Sequence, residues 1–436
     1  MNIENVSVRS LRPYAGNART HTKRQIRKIA NSIERFGFCN PVLVDDNLQI
    51  IAGHGRVEAA KLLGIEEVPI VRLSHLSEAD KRAYILADNR LAEDAGWDRE
   101  ILAVELQGLI DLGVPIEITG FEMANVDVIL DEARESNGPS SGPEDDIPSY
   151  TTGPAVSQPG ALWLAGNHRL LCGDARNRAV YETLLGGEKA HFAFTDPPYN
   201  VPIDGHVCGL GRIRHGNFAM GCGEMSEAQF TYFLANIFQL MAENTVDSSI
   251  HQICMDWRHM AEILGAGRST FGELKNVCVW NKSNAGMGSF YRSKHELIFV
   301  WKNGTAPHVN NFQLGQHGRT RSNIWTYDGV NTHKSDRRRE LAMHPTVKPV
   351  ALVADAIRDC SRRNDLVLDP FAGSGTILVA AECTGRMARA IEIDPNYVDV
   401  ALRRWQSYAG KTARLAATGE TFEEISENRL TIPMAA

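Results

Sequence analysis

The chain lacks several features that would place it outside ordinary globular proteins. Its 436 residues contain no apolar run of about 18 residues, so we expect no transmembrane helix. The N-terminus shows no basic region followed by an apolar stretch, the pattern of a signal peptide, so we expect a cytoplasmic protein. None of the eight cysteines belongs to a C-x-x-C pair, which argues against a zinc site or a disulfide framework, and we predict no metal.

The chain also lacks internal repeats and an excess of positive charge. Its formal net charge is −7, so any binding of nucleic acid has to come from locally basic surfaces. Hydrophobic residues make up 43% and charged residues 23% of the sequence, proportions that suit globular cores. The length predicts two or three domains.

The first 112 residues have the pattern of a small α/β domain. A helical pattern begins after Thr22 and ends at Gly37, and short strand-like runs follow. A turn formed by Gly53, His54, Gly55 and Arg56 then opens a second helix. Backbone N–H groups and a helix N-terminus favour an anion at such a turn, and a tight strand-to-helix turn without a ligand is the alternative.

This segment resembles the N-terminal domain shared by ParB-type partition proteins and sulfiredoxins. The resemblance rests on residues 17–20, 36–42 and 51–56. In that family the glycine–arginine turn binds nucleotide phosphates, so the resemblance implies a nucleotide at Gly53–Arg56. The turn contains no cysteine, which argues against the sulfiredoxin reaction, and His54 and Gly55 differ from the usual partition-protein turn. Nucleotide hydrolysis therefore does not follow from the resemblance.

Changes in amino-acid composition predict four further segments in the rest of the chain. We predict a helical extension over residues 113–135 and a flexible linker over 136–160, which is rich in serine, glycine and proline. A second domain is expected over residues 161–415. Residues 416–436 carry four glutamates and few apolar residues, so we expect a solvated acidic tail.

The most informative stretch is Asp196, Pro197, Pro198 and Tyr199, which follows the apolar run 191–195. Proline cannot donate to a β-ladder, so the strand ends here and leaves a carboxylate, a backbone carbonyl and an aromatic ring at its tip. The two kinds of oxygen suit the N–H groups of an exocyclic amine, and the ring suits a planar base. Taken alone, the four residues fit a proline-rich turn after a core strand equally well.

A second motif joins a strand to a helix through two glycines. Its residues are Asp369, Pro370, Phe371, Ala372, Gly373, Ser374, Gly375 and Thr376. A further strand follows about 20 residues on, with Glu392 near its end, which is the order that binds a nucleoside. The G-x-G-x-x-G fingerprint of dinucleotide sites is missing, which favours a smaller nucleoside ligand.

Together these motifs resemble those of the β-class DNA amino-methyltransferases, which use S-adenosylmethionine. The resemblance covers nearly all of residues 161–409 and includes the segment 344–349. It implies an α/β fold, a Rossmann-like methyltransferase domain with circularly rearranged motif order, preceded by the small ParB-like α/β domain.

The resemblance also implies a role for each matching residue. Asp196 and the Pro197 carbonyl would accept the N–H bonds of the target amine, with Pro198 and Tyr199 completing the catalytic motif. Cofactor contacts are implied for Asp174, Thr346, Lys348, Asp369, Phe371, Ala372, Gly373, Ser374, Gly375, Thr376 and Glu392. Within that set Glu392 would bind the ribose hydroxyls, and Asp174 the adenine amine of the cofactor. Thr346 and Lys348 would contact its carboxylate end.

The implied function is site-specific methylation of adenine N6 in double-stranded DNA, after the base has flipped out of the helix. The acid at position 196 favours adenine, since cytosine-N4 members of the family more often have serine there. A cytosine-N4 methyltransferase and a DNA-binding regulator acting through the ParB-like domain remain alternatives. The motif order disfavours an RNA methyltransferase. A partner restriction endonuclease and a homodimer are left open.

Basic loops that flank the motifs are candidate DNA contacts. Their arginines are Arg212, Arg214, Arg319, Arg321, Arg337, Arg338 and Arg339. A solvated charged surface is the alternative for residues 337–339. Phosphate contacts there would make the affinity for DNA fall steeply with salt.

Overall fold

The computed structural model describes residues 2–94, 96–135, 145–148, 154–201, 223–283, 290–312, 321–328 and 347–431. The chain forms two compact units, Met1–Asn137 and Gly138–Ala436. Among the described residues, no helix combines the length and the apolar character needed to cross a bilayer.

The first unit contains the small α/β domain that the sequence predicts. Its elements are β1 Ile3–Ser7, α1 Lys23–Phe36, β2 Val42–Val44, β3 Ile50–Ala52, α2 His54–Leu63, β4 Glu67–Arg72 and α3 Glu78–Asp94. The strands form one sheet in the order β1-β4-β2-β3. Thr22 caps α1 by accepting a hydrogen bond from the backbone N–H of Gln25, and Gly37 ends the helix. Strand β1 was not anticipated, because only Val6 of its five residues is even partly buried.

Two further helices in this unit pack on each other. They are α4 Arg99–Asp111 and α5 Met123–Glu135. Leu102 and Leu106 of α4 share a small apolar core with Val126 and Leu130 of α5. The boundary we predict at residue 112 therefore falls between two helices that form one core.

The second unit is built on a ten-stranded sheet. Its strands are β5 Leu162–Ala165, β6 His168–Cys172, β7 Ala190–Thr195, β8 Thr245–Met255, β9 Glu273–Lys282, β10 His295–Lys302, β11 Ile324–Tyr327, β12 Leu366–Asp369, β13 Met387–Glu392 and β14 Arg414–Leu415. Their order across the sheet is β11-β9-β10-β8-β7-β12-β13-β6-β5-β14. The five central strands β6, β13, β12, β7 and β8 are parallel to one another, and β10 is antiparallel to β8 and β9.

Helices cover both faces of this sheet. They are α6 Arg178–Leu185, α7 Glu227–Glu243, α8 Met260–Thr270, α9 Val350–Cys360, α10 Thr376–Thr384, α11 Pro395–Ala409 and α12 Phe422–Thr431. Apolar residues of α9, α10 and α11 form one core, and those of α6, α7 and α8 form the other. A sheet with parallel central strands that is buried on both faces is the α/β architecture we predict. The strand of the later motif, β12, lies directly beside that of the earlier motif, β7.

Both ends of the second unit differ from expectation. The predicted acidic tail contains α12, whose Phe422 is buried against Trp163 with 5.5 Å between the ring centroids. Residues 154–160 of the predicted linker are also attached, because the backbone N–H groups of Val156 and Ser157 donate to the carboxylate of Asp399 at 2.6 and 2.8 Å. Residues 136–144 and 149–153 lie outside the described residues.

Candidate active site

The two motifs meet because their strands are parallel neighbours. Residues of β12 and β7 pair in register, which brings the carboxyl ends of both strands to the same edge of the sheet. The buried hydroxyl of Thr195 donates a hydrogen bond to Asp369 at 2.8 Å. One contact therefore joins the last residue of β7 to the last residue of β12, although 174 residues separate them in sequence.

Asp196 lies at the centre of a compact polar cluster. Its Oδ1 accepts a hydrogen bond from the Tyr199 hydroxyl at 2.5 Å, and its Oδ2 lies 2.5 Å from the Lys348 ammonium. The same hydroxyl also contacts Oε1 of Glu296, and that oxygen lies 2.7 Å from Lys348. Lys282 reaches the other oxygen of Glu296 at 2.7 Å. The cluster thus holds two carboxylates, two ammonium groups and one phenol.

Burial and neighbouring charge act against each other in this cluster. Burial raises the pKa of Asp196, Lys348 lowers it, Glu296 raises it further, and the net direction is upward. Burial also acts to raise the pKa of Glu296, but Lys348 and Lys282 outweigh it and hold the pKa at about 2. Burial lowers the pKa of Lys348, and the two carboxylates more than reverse this. Glu296 therefore stays ionised and Lys348 stays protonated, whereas Asp196 is the group of the three that takes up a proton most readily.

The segment after the catalytic motif is held by a side-chain amide. Asn200 adopts a left-handed backbone conformation with a φ of 52°, which asparagine tolerates better than most residues. Its Oδ1 accepts from the backbone N–H of Met225 at 3.1 Å, and its Nδ2 donates to the Met225 carbonyl at 2.8 Å. These bonds fix the exit of the chain from Tyr199.

Glu296 and Lys282 were missed from the sequence. Glu296 directly precedes five apolar residues of β10, and an acid placed immediately before such an apolar run is a signal that could have found it. One ligand atom each of Asp196, Cys254 and Glu296 lie within 4.8 Å of one another, a spacing that a cation could span. In the structure Lys348 is the cation that contacts both carboxylates.

Lys348 was predicted to contact the cofactor, but its side chain lies in the cluster around Asp196. Its ammonium lies against Asp196 and Glu296, and its carbonyl oxygen accepts a 3.4 Å hydrogen bond from Thr376. Lys348 is thus next to the glycine loop through its backbone and next to the catalytic motif through its side chain. A contact with the carboxylate end of a cofactor stays a prediction, and Thr346 lies outside the described residues.

The glycine loop is tied to Glu392. The backbone N–H of Gly373 donates to Glu392 Oε2 at 2.8 Å, and that of Asp394 donates to Oε1 at 2.9 Å. The backbone N–H of Phe371 donates to Asp369 at 3.0 Å. Burial raises the pKa of both Glu392 and Asp369 to about 7. The loop therefore fixes two carboxylates in orientations set by backbone donors.

The two loop glycines serve different purposes. A Cβ added to Gly375 would lie 2.6 Å from the Cβ of Ala401, and its φ is 79°, so the fold itself requires glycine there. A Cβ added to Gly373 would meet no atom within 4 Å, which leaves open space beside the loop for a ligand. Beneath the loop, the buried guanidinium of Arg404 donates to the hydroxyls of Ser374 and Thr376 at 3.2 and 3.0 Å.

Asp174, predicted to contact the cofactor, follows a residue whose backbone is hydrogen-bonded to that of Glu392. The backbone N–H of Gly173, which precedes it, donates to the Glu392 carbonyl at 2.9 Å. Burial acts to raise the pKa of Asp174, but hydrogen bonds from Arg176 outweigh it, and the pKa is lowered. The carboxylate therefore carries negative charge and accepts Arg176 N–H groups at 2.6 to 3.0 Å.

The N-terminal turn, where we predict an anion, begins with a glycine in the left-handed backbone conformation. Gly53, with a φ of 103°, precedes α2. Arg56 carries a buried Nε that finds no hydrogen-bond partner in the described part of the chain. Nε2 of His54 accepts a hydrogen bond from the backbone N–H of Tyr14 at 3.3 Å, and burial lowers the pKa of His54. His21 lies beside Gly55, where an added Cβ would be 3.2 Å from its ring.

Arg321 forms ion pairs and a ring contact within its own domain. Its guanidinium lies 3.0 Å from Asp359 and 3.4 Å from Asp355, and it stacks over Trp325 with 4.8 Å to the ring centroid. The side chain is only 16% exposed, and its pKa is raised because the two carboxylates outweigh burial. This arrangement argues against the DNA contact predicted for Arg321. The other predicted arginines, Arg212, Arg214, Arg319, Arg337, Arg338 and Arg339, lie outside the described residues.

Fold and site together define a class of protein. It is a Rossmann-like enzyme with a nucleoside-type loop at one strand end and an acidic aromatic pocket at the next. Comparison with known families is more specific. Residues 190–403 match the model of a DNA methylase, residues 1–90 that of the ParB N-terminal domain, and residues 100–159 that of a ParB-methyltransferase HTH domain. The chain therefore carries an N6/N4 DNA methylase domain and a ParB N-terminal domain.

Individual relatives cover different parts of the chain. The ParB-like nuclease domain-containing protein YnaK of Escherichia coli is 48% identical over 75 residues, which are 17% of this chain and 86% of YnaK. The type II methyltransferase M2.MboI of Moraxella bovis is 25% identical over 253 residues, 53% of this chain and 89% of that protein. The crystal structure of the M1.HpyAVI–SAM complex aligns with a TM-score of 0.39 and 19% identity, over 54% of this chain and 97% of that one.

Proposed function

We propose that this DNA methyltransferase transfers a methyl group from S-adenosylmethionine to the N6 amine of adenine in double-stranded DNA. The observation that carries the proposal is the Asp196 carboxylate, held at the tip of a central strand by Tyr199 and Lys348. The preceding residue, Thr195, donates a hydrogen bond to Asp369, the strand end that begins the cofactor loop. The expected cofactor supplies a methyl group bound to positively charged sulfur.

The residues around the glycine loop fit this cofactor. Glu392 is fixed by two backbone donors and would accept the ribose hydroxyls. Open space beside Gly373 would allow close approach of the ligand to the backbone. Asp174 would accept the adenine amine of the cofactor in place of one Arg176 contact. These assignments use only groups that already face one edge of the sheet.

The catalytic motif would bind the target base. Flipping a base out of the duplex costs a few kcal/mol, and stacking on the Tyr199 ring would return roughly 1–3 kcal/mol. Asp196 and the Pro197 carbonyl would accept the two N6–H bonds. Positive charge develops on the nitrogen during transfer, and a preorganised carboxylate in a site with little water stabilises it. Lys348 and Tyr199 hold that carboxylate in place.

The choice of adenine over cytosine rests on Asp196 itself. Both bases offer an exocyclic amine with two N–H donors, so the pocket geometry alone does not separate them. A carboxylate is a stronger acceptor than the serine hydroxyl more often found in cytosine-N4 relatives. The acid therefore supports adenine N6.

Sequencing with modified-base detection on DNA from cells that express the chain tests this proposal. We expect N6-methyladenine at one recognition sequence, none with Asp196→Ala, and wild-type levels with the exposed control Glu273→Ala. Calorimetry should show that Asp196→Ala still binds S-adenosylmethionine. Methylation by Asp196→Ala, or methylated cytosine in place of adenine, would contradict the proposal.

A nucleotide is the ligand we propose for the N-terminal turn. The buried Nε of Arg56 and the N-terminus of α2 supply donors for phosphate oxygens. Equilibrium binding of labelled nucleoside triphosphates should be lost with Arg56→Ala and kept with the exposed control Arg35→Ala. Equal binding by the two variants would argue against this site.

A further inference from the structure

Glu296 has no role in the function proposed above, yet it touches the groups that hold Asp196 in place. It is the second residue of β10, and its side chain is 8% exposed. One oxygen contacts the Tyr199 hydroxyl and the Lys348 ammonium, and the other lies 2.7 Å from Lys282. A buried carboxylate with this many partners, which shares two of them with Asp196, calls for a function of its own.

We propose that Glu296 is a positioning residue for the amine pocket. It orients the Tyr199 hydroxyl and the Lys348 ammonium on Asp196, and its negative charge makes Asp196 the acceptor for the proton that the methylated nitrogen loses. The inference rests on the proposed function.

The contacts form a closed ring that fixes Asp196. Tyr199 bridges Oδ1 of Asp196 and Oε1 of Glu296, and Lys348 bridges Oδ2 of Asp196 and the same Glu296 oxygen. A phenol has a single proton, so it can donate fully to only one of its two acceptors at a time. The ammonium has three protons and can donate to both. Removing Glu296 would therefore leave Asp196 as the one carboxylate of the ring, and Tyr199 and Lys348 would lose the contacts that fix their orientation.

The charges around the ring set how readily Asp196 takes a proton. The groups that face Asp196 or Glu296 are Lys282, Lys348, Tyr199, Cys254 and Asp369. Cys254 is a neutral thiol because burial raises its pKa. Lys348 alone would make Asp196 a weak base, and Glu296 opposes that effect. Lys282 secures the charge of Glu296 from the far side.

The proton movement balances without any further reactant. After transfer the nitrogen carries the new methyl group, a positive charge and a surplus proton. The N–H bond breaks, its electron pair stays on nitrogen, and an O–H bond forms on Asp196. The products at this point are a neutral methylated amine and a neutral Asp196. The Asp196 side chain is 22% exposed, so it can return the proton to solvent once the base has left.

The test uses two variants of the full chain with effects of opposite sign. Glu296→Gln removes the negative charge with little change of shape, and Lys282→Met removes a positive charge from a side chain that is 33% exposed. Single-turnover methylation of DNA is measured against pH. The acidic limb of the rate should move down by about one pH unit in Glu296→Gln and up by a similar amount in Lys282→Met, a tenfold change in proton binding each way.

Further readouts separate this role from a merely structural one. In Glu296→Gln the single-turnover rate constant at its optimum should fall about tenfold or more, with dissociation constants for DNA and S-adenosylmethionine close to those of the wild type. The control Glu273→Gln, an exposed residue on β9, should leave rate and pH profile unchanged.

Each result has a defined meaning. Wild-type protein that methylates nothing would refute the proposed function and this inference with it. An active wild type whose variants share its pH profile would overturn the inference alone, and so would a loss confined to DNA or cofactor affinity. If Glu296→Gln does not fold, as seen in its melting curve, the direction of the shift in Lys282→Met decides.

Discussion

The substitution Glu392→Gln should lower the stability of the fold at acidic pH and raise it at alkaline pH. In the wild type the Glu392 carboxylate is buried and accepts hydrogen bonds from the backbone N–H groups of Gly373 and Asp394. Burial raises its pKa from 4.5 to about 7. Glutamine has nearly the same shape, carries no charge, and can accept only one of the two bonds, because its amide nitrogen faces the second donor.

The magnitude follows from the shift in pKa. Below pH 4.5 the glutamic acid is protonated in both the folded and the unfolded chain, so its ionisation does not affect stability. As the pH rises from 4.5 to about 7, the unfolded chain ionises first, and the folded protein loses about 3 kcal/mol in total. Glutamine avoids this loss but gives up one hydrogen bond, worth about 1 kcal/mol. The variant should be less stable than the wild type near pH 4.5 and more stable by about 2 kcal/mol at pH 8.5.

Urea unfolding followed by tryptophan fluorescence is a suitable assay, because six of the seven tryptophans belong to the C-terminal unit. The difference in unfolding free energy between variant and wild type should change by roughly 2 to 3 kcal/mol between pH 4.5 and 8.5. The exposed control Glu273→Gln should show no such change. A difference for Glu392→Gln that is constant with pH would refute the reasoning, whatever its absolute value.

Two further predictions concern the glycine loop and the basic residues. Gly375→Ala should destabilise the protein by about 2 kcal/mol or more, since the new Cβ meets Ala401, whereas Gly373→Ala should cost only about 1 kcal/mol for its left-handed backbone. Both substitutions should weaken cofactor binding in calorimetry. Equal stabilities of the two variants in urea unfolding would contradict the difference expected between the two glycines. Arg321→Gln should lower the unfolding free energy by about 2 kcal/mol, because it removes the charged Arg321 partner from the buried carboxylate of Asp359, and should not change the salt dependence of DNA affinity. Replacing Arg337, Arg338 and Arg339 by glutamine should instead reduce the slope of log K against log salt by about 1 for each phosphate that these arginines neutralise in the wild type. A slope that drops for Arg321→Gln would restore its predicted DNA role.

The sequence was sufficient for the features that depend on local pattern. Periodicity and capping residues predicted α1 from Thr22 to Gly37. The apolar runs before Asp196 and Asp369 predicted two buried strands, and both exist. These signals are local because hydrogen bonds and side-chain periodicity within one element determine them.

Features that depend on residues far apart in the sequence could not be predicted in the same way. Lys348 was assigned to the cofactor from its place in a motif, but its ammonium pairs with Asp196, 152 residues away at the end of β7, and with Glu296 near the start of β10. Glu423 and Glu424 made α12 look like a solvated tail, although Phe422 on the same helix is buried in the core. Charge on the exposed face of an amphipathic helix hides its apolar face when composition alone is considered.

Three buried carboxylates at the edge of the sheet destabilise the fold when they are ionised, but their negative charge favours the methyl transfer. Asp196, Asp369 and Glu392 lie at the ends of the neighbouring strands β7, β12 and β13, and burial raises the pKa of each. Of the three, Asp196 is the one that Lys348 contacts. Buried negative charge destabilises the fold, but it also stabilises positive charge that develops on a nitrogen nearby, without any need to reorganise. Neutralising Asp369 or Glu392 should therefore raise stability at alkaline pH and lower the methylation rate at the same time, because one property of the edge causes both.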